Sequence, residues 1–268
     1  MTFNRQPHNN GYPQQSYNTN EPFQQPYVVN NDGTAAIPTQ TTYAYEHAER
    51  VSMTRAYGEM ALGLIVTALV AYVTFTSGLL ERFVLATGSI GWIGLCVAQV
   101  VFALALSTRV MKMKTSTGRF MFYAYAALMG FTLSSLFASY SISVLLVALL
   151  TCAGFFFTLT MLGLTTKKNL LGWGSIFFAA LLALVIVQVV LLFVAPSNTT
   201  MKVIAALGIA LFAGLTMYDA QQTRALFANY QSQGTEVIER ISILCALNLY
   251  LDFVNMFLYI VQLFGSRD

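Results

Sequence analysis

Charged residues are scarce in this chain. Of its 268 residues only 9% are Asp, Glu, Lys or Arg, whereas soluble domains average about 25%. Hydrophobic residues make up 56% of the chain, and the mean hydropathy is +0.62. This composition excludes a soluble domain with a large core and predicts an all-α integral membrane protein in contact with the lipid bilayer. The net charge of +3 comes from basic residues in short loops, a pattern that sets membrane orientation and does not indicate nucleic acid binding.

Cysteine and proline are scarce as well. The three cysteines lie in apolar segments without metal-ligand spacing, which predicts packing residues and no disulfide framework. Five of the six prolines fall within the first 45 residues, a segment rich in Gln, Asn and Tyr with no apolar run and no basic start. We therefore expect no cleavable signal peptide, but a disordered cytoplasmic tail over residues 1–45 and a membrane domain over residues 46–268. The tail is either a docking segment for a protein partner or a tolerated extension.

Apolar runs long enough to cross a bilayer recur seven times after this tail. A hydrocarbon core of roughly 30 Å needs about 20 apolar residues per helix. The candidate spans are 57–78, 84–107, 120–140, 143–164, 173–195, 201–228 and 240–264. Lys and Arg concentrate in the connections after the second, fourth and sixth spans. Because positively charged loops stay in the cytoplasm, this alternation predicts a cytoplasmic N-terminus and a C-terminus on the opposite side.

Few ionisable residues lie at membrane depth, and they are Glu59, Arg109, Asp219 and Asp252. Such residues are costly in lipid and usually face the interior of a helix bundle or a water-filled path. Arg55 precedes Glu59 by one helical turn, which predicts a local ion pair between them. Gln99 and Gln188 are predicted to form hydrogen bonds between helices.

The two aspartates are predicted to face each other. Spans six and seven are joined by the polar stretch 229–240, in which Gly234 is suited to end the first helix and Thr235 to cap the second. The midpoint between Asp219 and Asp252 falls beside this turn, so an antiparallel hairpin brings them level on neighbouring helices. Two carboxylates this close cannot both ionise cheaply. This aspartate pair is therefore expected to share a proton or to bind a hard cation such as calcium.

Two amides and one arginine extend this candidate site. Asn248 and Asn255 follow the same helix face as Asp252, at spacings of four and three residues, and are expected to add amide oxygens. Arg109, at the cytoplasmic end of span two, is either a snorkelling residue of a positive loop or a partner for one aspartate.

Four stretches carry a resemblance to a known family, and they are "LTMYDAQQTRAL", "ALNLYLDFVNMFLYIVQLFG", "MGFTLSS" and "LGLTTKKNLLGWG". Together they resemble the transmembrane Bax inhibitor motif family over about residues 50 to 268. This resemblance implies seven helices, with a central last helix wrapped by the other six, and a pH-sensitive calcium leak. It maps the aspartate dyad of that family onto Asp219 and Asp252 and its latch arginine onto Arg109. Asn169 departs from the pattern, since members often carry aspartate after the two lysines.

Three functions are compatible with these residues. The first is a calcium leak channel or a slow calcium/proton exchanger, with calcium as the permeant ion, no cofactor and no enzymatic activity. The second is an intramembrane aspartyl protease, which also places aspartates on two neighbouring spans. The bulky residues of "LYLD", where such proteases carry glycines, and the lack of proline after Pro196 count against it. The third is a regulatory membrane scaffold that transports nothing.

Overall fold

A computed structural model describes residues 28–29, 35–36, 39–191, 193–194, 197–230 and 233–265. The chain divides into two units, residues 1–45 and 46–268. In the first unit, the two-residue strands β1 (Val28–Val29) and β2 (Ala35–Ala36) pair in antiparallel fashion. The first helix also begins in this unit. The other residues of the predicted disordered tail lie outside the described residues, so the tail stays a prediction.

The described residues contain eight α-helices, which are α1 (Thr39–Ser77), α2 (Leu79–Arg109), α3 (Thr115–Leu133), α4 (Ser135–Ser139), α5 (Ile142–Thr165), α6 (Gly174–Leu191), α7 (Asn198–Tyr230) and α8 (Thr235–Phe264). Short 3-10 turns at Val110–Lys112 and Leu171–Trp173 follow α2 and precede α6. Seven segments are long and apolar enough to cross a membrane, with α3 and α4 together forming the third. This confirms the predicted all-α fold with seven spans.

Turn residues end and start these helices. Gly78, with a φ of 65°, separates α1 from α2, and the side chain of Ser141 caps α5 by accepting a hydrogen bond from the backbone N–H of Val144. At the last turn, Gly234 has a φ of 91° and occupies the capping position of α8, so Thr235 is the first helical residue. The prediction that Thr235 caps this helix is therefore wrong, because the chain enters α8 through a backbone conformation that favours glycine.

The last helix occupies the centre of the bundle. In α8, 67% of the most apolar stretch is buried, against 0% to 28% in the other spans. It packs against α7, α5 and α3, and its fully buried side chains include Ile243, Leu247, Tyr250 and Met256. The outward faces of the surrounding helices expose Leu, Ile, Val and Phe, as expected where lipid takes the place of water. This confirms the predicted arrangement of a central last helix.

Polar side chains at membrane depth connect neighbouring helices. Gln99 Nε2 donates to Thr132 Oγ1 at 2.9 Å, and Gln188 Nε2 donates to the hydroxyl of Tyr259 at 3.1 Å. Both predicted interhelical hydrogen bonds are therefore confirmed. Such bonds satisfy groups that have no water to bond in the hydrocarbon region.

Candidate functional site: a buried aspartate pair

The carboxyl groups of Asp219 on α7 and Asp252 on α8 lie in side-chain contact, within hydrogen-bonding reach of each other. Both are buried, with 9% and 4% of their surface exposed. Helix α7 ends at Tyr230, earlier than the symmetric hairpin assumed, so Asp219 lies closer to the turn in sequence than Asp252 does. The carboxyls still meet, because α7 and α8 are the most extensively packed pair of helices.

The aspartate pair receives no cationic partner from the described part of the chain. No lysine or arginine there forms an ion pair with either carboxyl. One carboxyl oxygen, Oδ2 of Asp252, is fully buried and has no hydrogen-bond partner among these residues. Leaving such an oxygen without a partner costs roughly 1–3 kcal/mol, and more when the group is charged. The arrangement therefore calls for a proton, a water molecule or a cation between the two carboxyls.

Two hydroxyl groups from other helices lie beside the aspartate pair. The hydroxyl of Tyr57 on α1 is next to that of Thr160 on α5 and within electrostatic range of both aspartates. Both hydroxyl oxygens are buried, and neither has a hydrogen-bond partner of good geometry in the described residues. These two hydroxyl oxygens and Oδ2 of Asp252 thus lack a partner of good geometry among the described residues, and the Tyr57 hydroxyl on α1 links the one on α5 to the one on α8. Buried polar groups that no side chain satisfies are typical positions for ordered water or a bound ion.

Sequence reasoning missed Tyr57 and Thr160. A tyrosine or threonine inside an apolar helix is common, and no local spacing distinguishes these two. Only the packing of α5 against α7 brings Thr160 to the site. A Cβ atom at Gly163, one turn further along α5, would lie 2.8 Å from the carbonyl oxygen of Met217, so the absence of a side chain there permits the close approach.

Few side-chain oxygens are available as ligands near the aspartate pair. Calcium takes about six to eight oxygen ligands, and the site offers two carboxyls and two hydroxyls. Among the described residues, no group of three or more His, Cys, Asp or Glu side chains is placed to hold a metal ion. A calcium ion at the aspartate pair would therefore keep several of its water ligands. Incomplete coordination of this kind suits an ion that binds and leaves.

The predicted amides flank the pair along α8. Asn248 is half-buried on the side of the turn that joins α7 to α8. Asn255 lies on the other side, where its Nδ2 donates to the backbone carbonyl of Leu251 at 2.8 Å and its side chain lines a cavity. Their role as ligands stays a prediction.

Arg109 does not contact the aspartates in this structure. It is the last residue of α2, its side chain is exposed, and it forms no ion pair within the described residues. The latch implied by the resemblance would require the end of α2 to move, and it stays a prediction. A different arginine connects this end of α2 to α8. Arg240 Nη1 on α8 donates a hydrogen bond to the backbone carbonyl of Met111, in the turn after α2, at 3.0 Å.

The predicted ion pair between Arg55 and Glu59 is wrong. The carboxylate of Glu59 accepts hydrogen bonds from Arg119 Nε at 2.6 Å and from the hydroxyl of Tyr123, both on α3. Arg55 instead pairs with Glu239 on α8 at 3.2 Å. Both side chains of α1 thus bind other helices. Glu59 is buried, and the charged Arg119 together with the Tyr123 hydroxyl satisfies its carboxylate there.

Comparison with known proteins gives the family. A family model described as "Inhibitor of apoptosis-promoting Bax1" matches residues 49–268. The chain belongs to this family, the Bax inhibitor-1-like proteins. The resemblance found in the sequence is thereby confirmed, and the match leaves out the polar tail.

Bacterial members of this family cover most of the chain. Inner membrane protein YbhL of Escherichia coli (strain K12) is 34% identical over 215 residues, which is 80% of this chain and 91% of YbhL. A protein of Deinococcus radiodurans is 38% identical over 219 residues, or 82% of this chain and 92% of the relative. Protein YrjE of Lactococcus lactis is 33% identical over 212 residues, 79% of this chain and 88% of YrjE. These relatives and the seven apolar spans identify an integral membrane protein.

The residues that precede Asp252 on α8 are packed into the bundle. Leu249 and Tyr250 are fully buried, and the Tyr250 hydroxyl lies 2.7 Å from Thr67 Oγ1.

Proposed function

We propose that this member of the Bax inhibitor-1-like family is a pH-sensitive calcium leak channel or a slow calcium/proton exchanger, controlled by the aspartate pair. The observation that carries the proposal is the contact between two buried carboxyls, one of which has an oxygen without a partner among the described residues. At membrane depth such a pair is expensive unless a proton or a cation occupies it. Both occupants are species that a leak or exchange pathway would carry.

Proton and calcium compete for the same oxygens. As the pH falls, the pair takes up protons and loses negative charge, so calcium binding weakens. As the pH rises, the shared proton leaves, the second negative charge appears and calcium binding strengthens. The hydroxyls of Tyr57 and Thr160 would complete the site as neutral oxygen ligands or as anchors for bound water.

Orientation and gating are parts of the same proposal. The positive loops support an orientation with the N-terminus and the turn between α7 and α8 on the cytoplasmic side, and the end of α8 on the opposite side. Arg109 is proposed to pair with Asp219 in a state in which the end of α2 has rearranged, so that the now exposed guanidinium turns into the bundle. That ion pair would neutralise one aspartate and hold the pathway shut.

The test is calcium binding and calcium flux of purified protein in liposomes, measured from about pH 5.5 to 8.5. The variants are Asp219→Asn and Asp252→Asn, whose amides nearly match the carboxyls in shape. The matched control is Glu81→Gln, which removes an exposed carboxyl at the start of α2. We expect each aspartate variant to lose the pH dependence, while the control keeps the wild-type profile.

Two results would overturn the proposal. If either aspartate variant keeps the wild-type pH profile, that residue only packs the bundle and the pair does not act as a switch. If the wild-type protein carries no calcium at any pH, the regulatory scaffold becomes the better interpretation. Monodispersity and thermal unfolding of each variant in detergent show whether a lost signal reflects a lost fold.

A further inference from the structure

A polar face continues along α8 beyond the aspartate pair. Asp252, Asn255, Tyr259 and Gln262 follow each other at spacings of three, four and three residues, so they share one face of the helix. The last three lie between Asp252 and the end of α8 and are half-buried. Most of the remaining residues of this stretch are apolar. Amide and phenol groups are unexpected in this half of the span, because the hydrocarbon region offers them no hydrogen-bond partners.

This face lines a cavity between α6, α7 and α8. The cavity has a volume of about 510 Å³, and its polar wall consists of Gln188 on α6 together with Asn255, Tyr259 and Gln262. Leu, Val and Phe side chains form the rest of the wall. We call it the polar cavity. Its volume is enough for several water molecules, each of which takes about 30 Å³ in the liquid.

The amide oxygens of the polar cavity are unused by the described part of the protein. Gln188 donates to Tyr259, Asn255 donates to its own helix, and Gln262 donates to the sulfur of Met201 at 3.8 Å. No hydrogen bond to any of the three amide oxygens is formed by the described residues. Three amide side chains that line one cavity offer carbonyl oxygens suited to bind water or a hydrated cation.

The lining residue of the polar cavity that lies nearest to Asp252 along α8 is Asn255, one helical turn away. Asn255 lies about 4.5 Å along the helix axis from Asp252. On α7, the ring of Phe212 lies 6.0 Å from that of Tyr259 and is buried. A Cβ atom at Gly208 would lie 2.6 Å from the Tyr259 ring, so this glycine makes room for the ring, whose hydroxyl reaches Gln188. Phe212 and Tyr259 thus pack against each other in the wall of the polar cavity, one turn further from the aspartates than Asn255.

A second cavity leads outward from the first. It has a volume of about 450 Å³ and lies at the end of the bundle where α8 finishes, next to Asn198, Lys202 and Tyr140. Leu258 and Gln262 line both cavities. We call this second space the mouth cavity. The two together extend from the end of α8 to within one helical turn of Asp252.

We infer that the mouth cavity and the polar cavity form a water-filled path for cations to the aspartate pair, with the amide oxygens of Gln188, Asn255 and Gln262 as its lining. The inference rests on the proposed function for its cargo, but the presence of water in the path can be measured without any transport. The competing occupant is a lipid acyl chain. An acyl chain would leave the three amide oxygens without partners, whereas water satisfies them.

The test is the reaction of single cysteines with a charged, membrane-impermeant methanethiosulfonate reagent, in liposomes that hold the protein. The native thiols are removed by Cys96→Ala, Cys152→Ala and Cys245→Ser. Single cysteines are then placed by Gln188→Cys, Asn255→Cys and Gln262→Cys. The matched control is Ile186→Cys, on the same helix and near the same depth as Gln188, where the native side chain is 54% exposed on the lipid side.

Cysteines in the path should react roughly tenfold faster than the lipid-facing control, because the attacking thiolate forms only where water is present. Gln262→Cys should react fastest and Asn255→Cys slowest, following depth. If all three cysteines react as slowly as Ile186→Cys in monodisperse protein, the path is filled by lipid and the inference fails. Fast reaction of the three cysteines, together with a calcium flux that does not depend on pH, would instead refute the proposed function, while the inference of a water-filled path would hold.

Discussion

The two halves of α8 differ in their surroundings, although Asp252 lies between them on one continuous helix. The half nearer the α7–α8 turn is enclosed by apolar packing, in which Ile243, Leu247 and Leu249 are fully buried. The half nearer the end of α8 presents Asn255, together with Tyr259 and Gln262, to two cavities. The aspartate pair therefore has a sealed side and a polar side.

The sealed side depends on the end of α2. Only 11% of the most apolar stretch of this span is buried, yet Leu106 and Val110 at its end are each 1% exposed. Both belong to the same buried cluster as Ile243 and Leu247 of α8. Leu106 is the one buried residue that α2 contributes among the described residues, and the middle of this helix is held to α3 by the hydrogen bond between Gln99 and Thr132. The comparison teaches that apolar packing between α2 and α8 encloses the turn side of the aspartate pair.

The largest expected effect comes from opening that seal. Leu106→Ala removes a buried side chain between α2 and α8, and such changes cost about 2–5 kcal/mol of packing free energy. Because the lost packing is on the sealed side, we expect the calcium leak in liposomes to rise well above that of the wild type. Flux at constant pH, together with thermal unfolding, measures both consequences.

Leu104→Ala is the matched control for this prediction. Leu104 lies two residues earlier on the same helix and is 60% exposed on the lipid side. Its truncation removes the same atoms without opening the seal. Equal flux from the two variants would show that the end of α2 is not the barrier.

Substitution of Arg240 or Arg109, near the same end of α2, is expected to have a smaller effect. Arg240→Gln removes the hydrogen bond to Met111 that ties the turn after α2 to α8, and a bond from a charged donor is worth about 1.5–3 kcal/mol. We therefore expect a moderate rise in leak. Arg109→Gln should also raise the leak if Arg109 latches Asp219 in another state.

A double-mutant cycle separates the two arginines. Each substitution is combined with Asp219→Asn, and the non-additive part of the change in flux reports the interaction. The latch hypothesis requires the Arg109→Gln effect to vanish in the Asp219→Asn background, while the Arg240→Gln effect persists. Additive behaviour of Arg109→Gln and Asp219→Asn would exclude the latch.

Sequence reasoning correctly predicted features that depend on local composition or on helices that follow each other in the chain. Hydropathy over about 20 residues is local, so seven spans could be counted. Asp219 and Asp252 could be placed together because a short turn joins their helices. The prediction that Thr235 caps α8 was wrong, because Gly234, which has a positive φ, occupies the capping position.

Features that depend on distant helices could not be predicted in this way. Glu59 has a basic residue one turn earlier, but its partner Arg119 comes from α3, 60 positions along the chain. Tyr57 and Thr160 reach the aspartate pair only through the packing of α1 and α5 around α8. Gln188 was correctly expected to bond another helix, but its partner Tyr259 and the cavity they line follow from tertiary contacts. Periodicity shows which residues share a face, but not which helix covers it.

The smallest expected effect concerns the mouth cavity, where α8 finishes. Lys202 is exposed and lines the mouth cavity beside Gln262, so a positive charge lies where cations would enter. Two unit charges about 4 Å apart in water interact by about 1 kcal/mol, and salt screens this further. Lys202→Gln should therefore raise calcium flux roughly two- to fivefold at low ionic strength. The increase should shrink as salt is added, and Lys202→Arg, which keeps the charge, should behave as the wild type. If Lys202→Gln leaves the flux unchanged at low salt, cations do not pass this mouth, and the polar side of α8 is not their route.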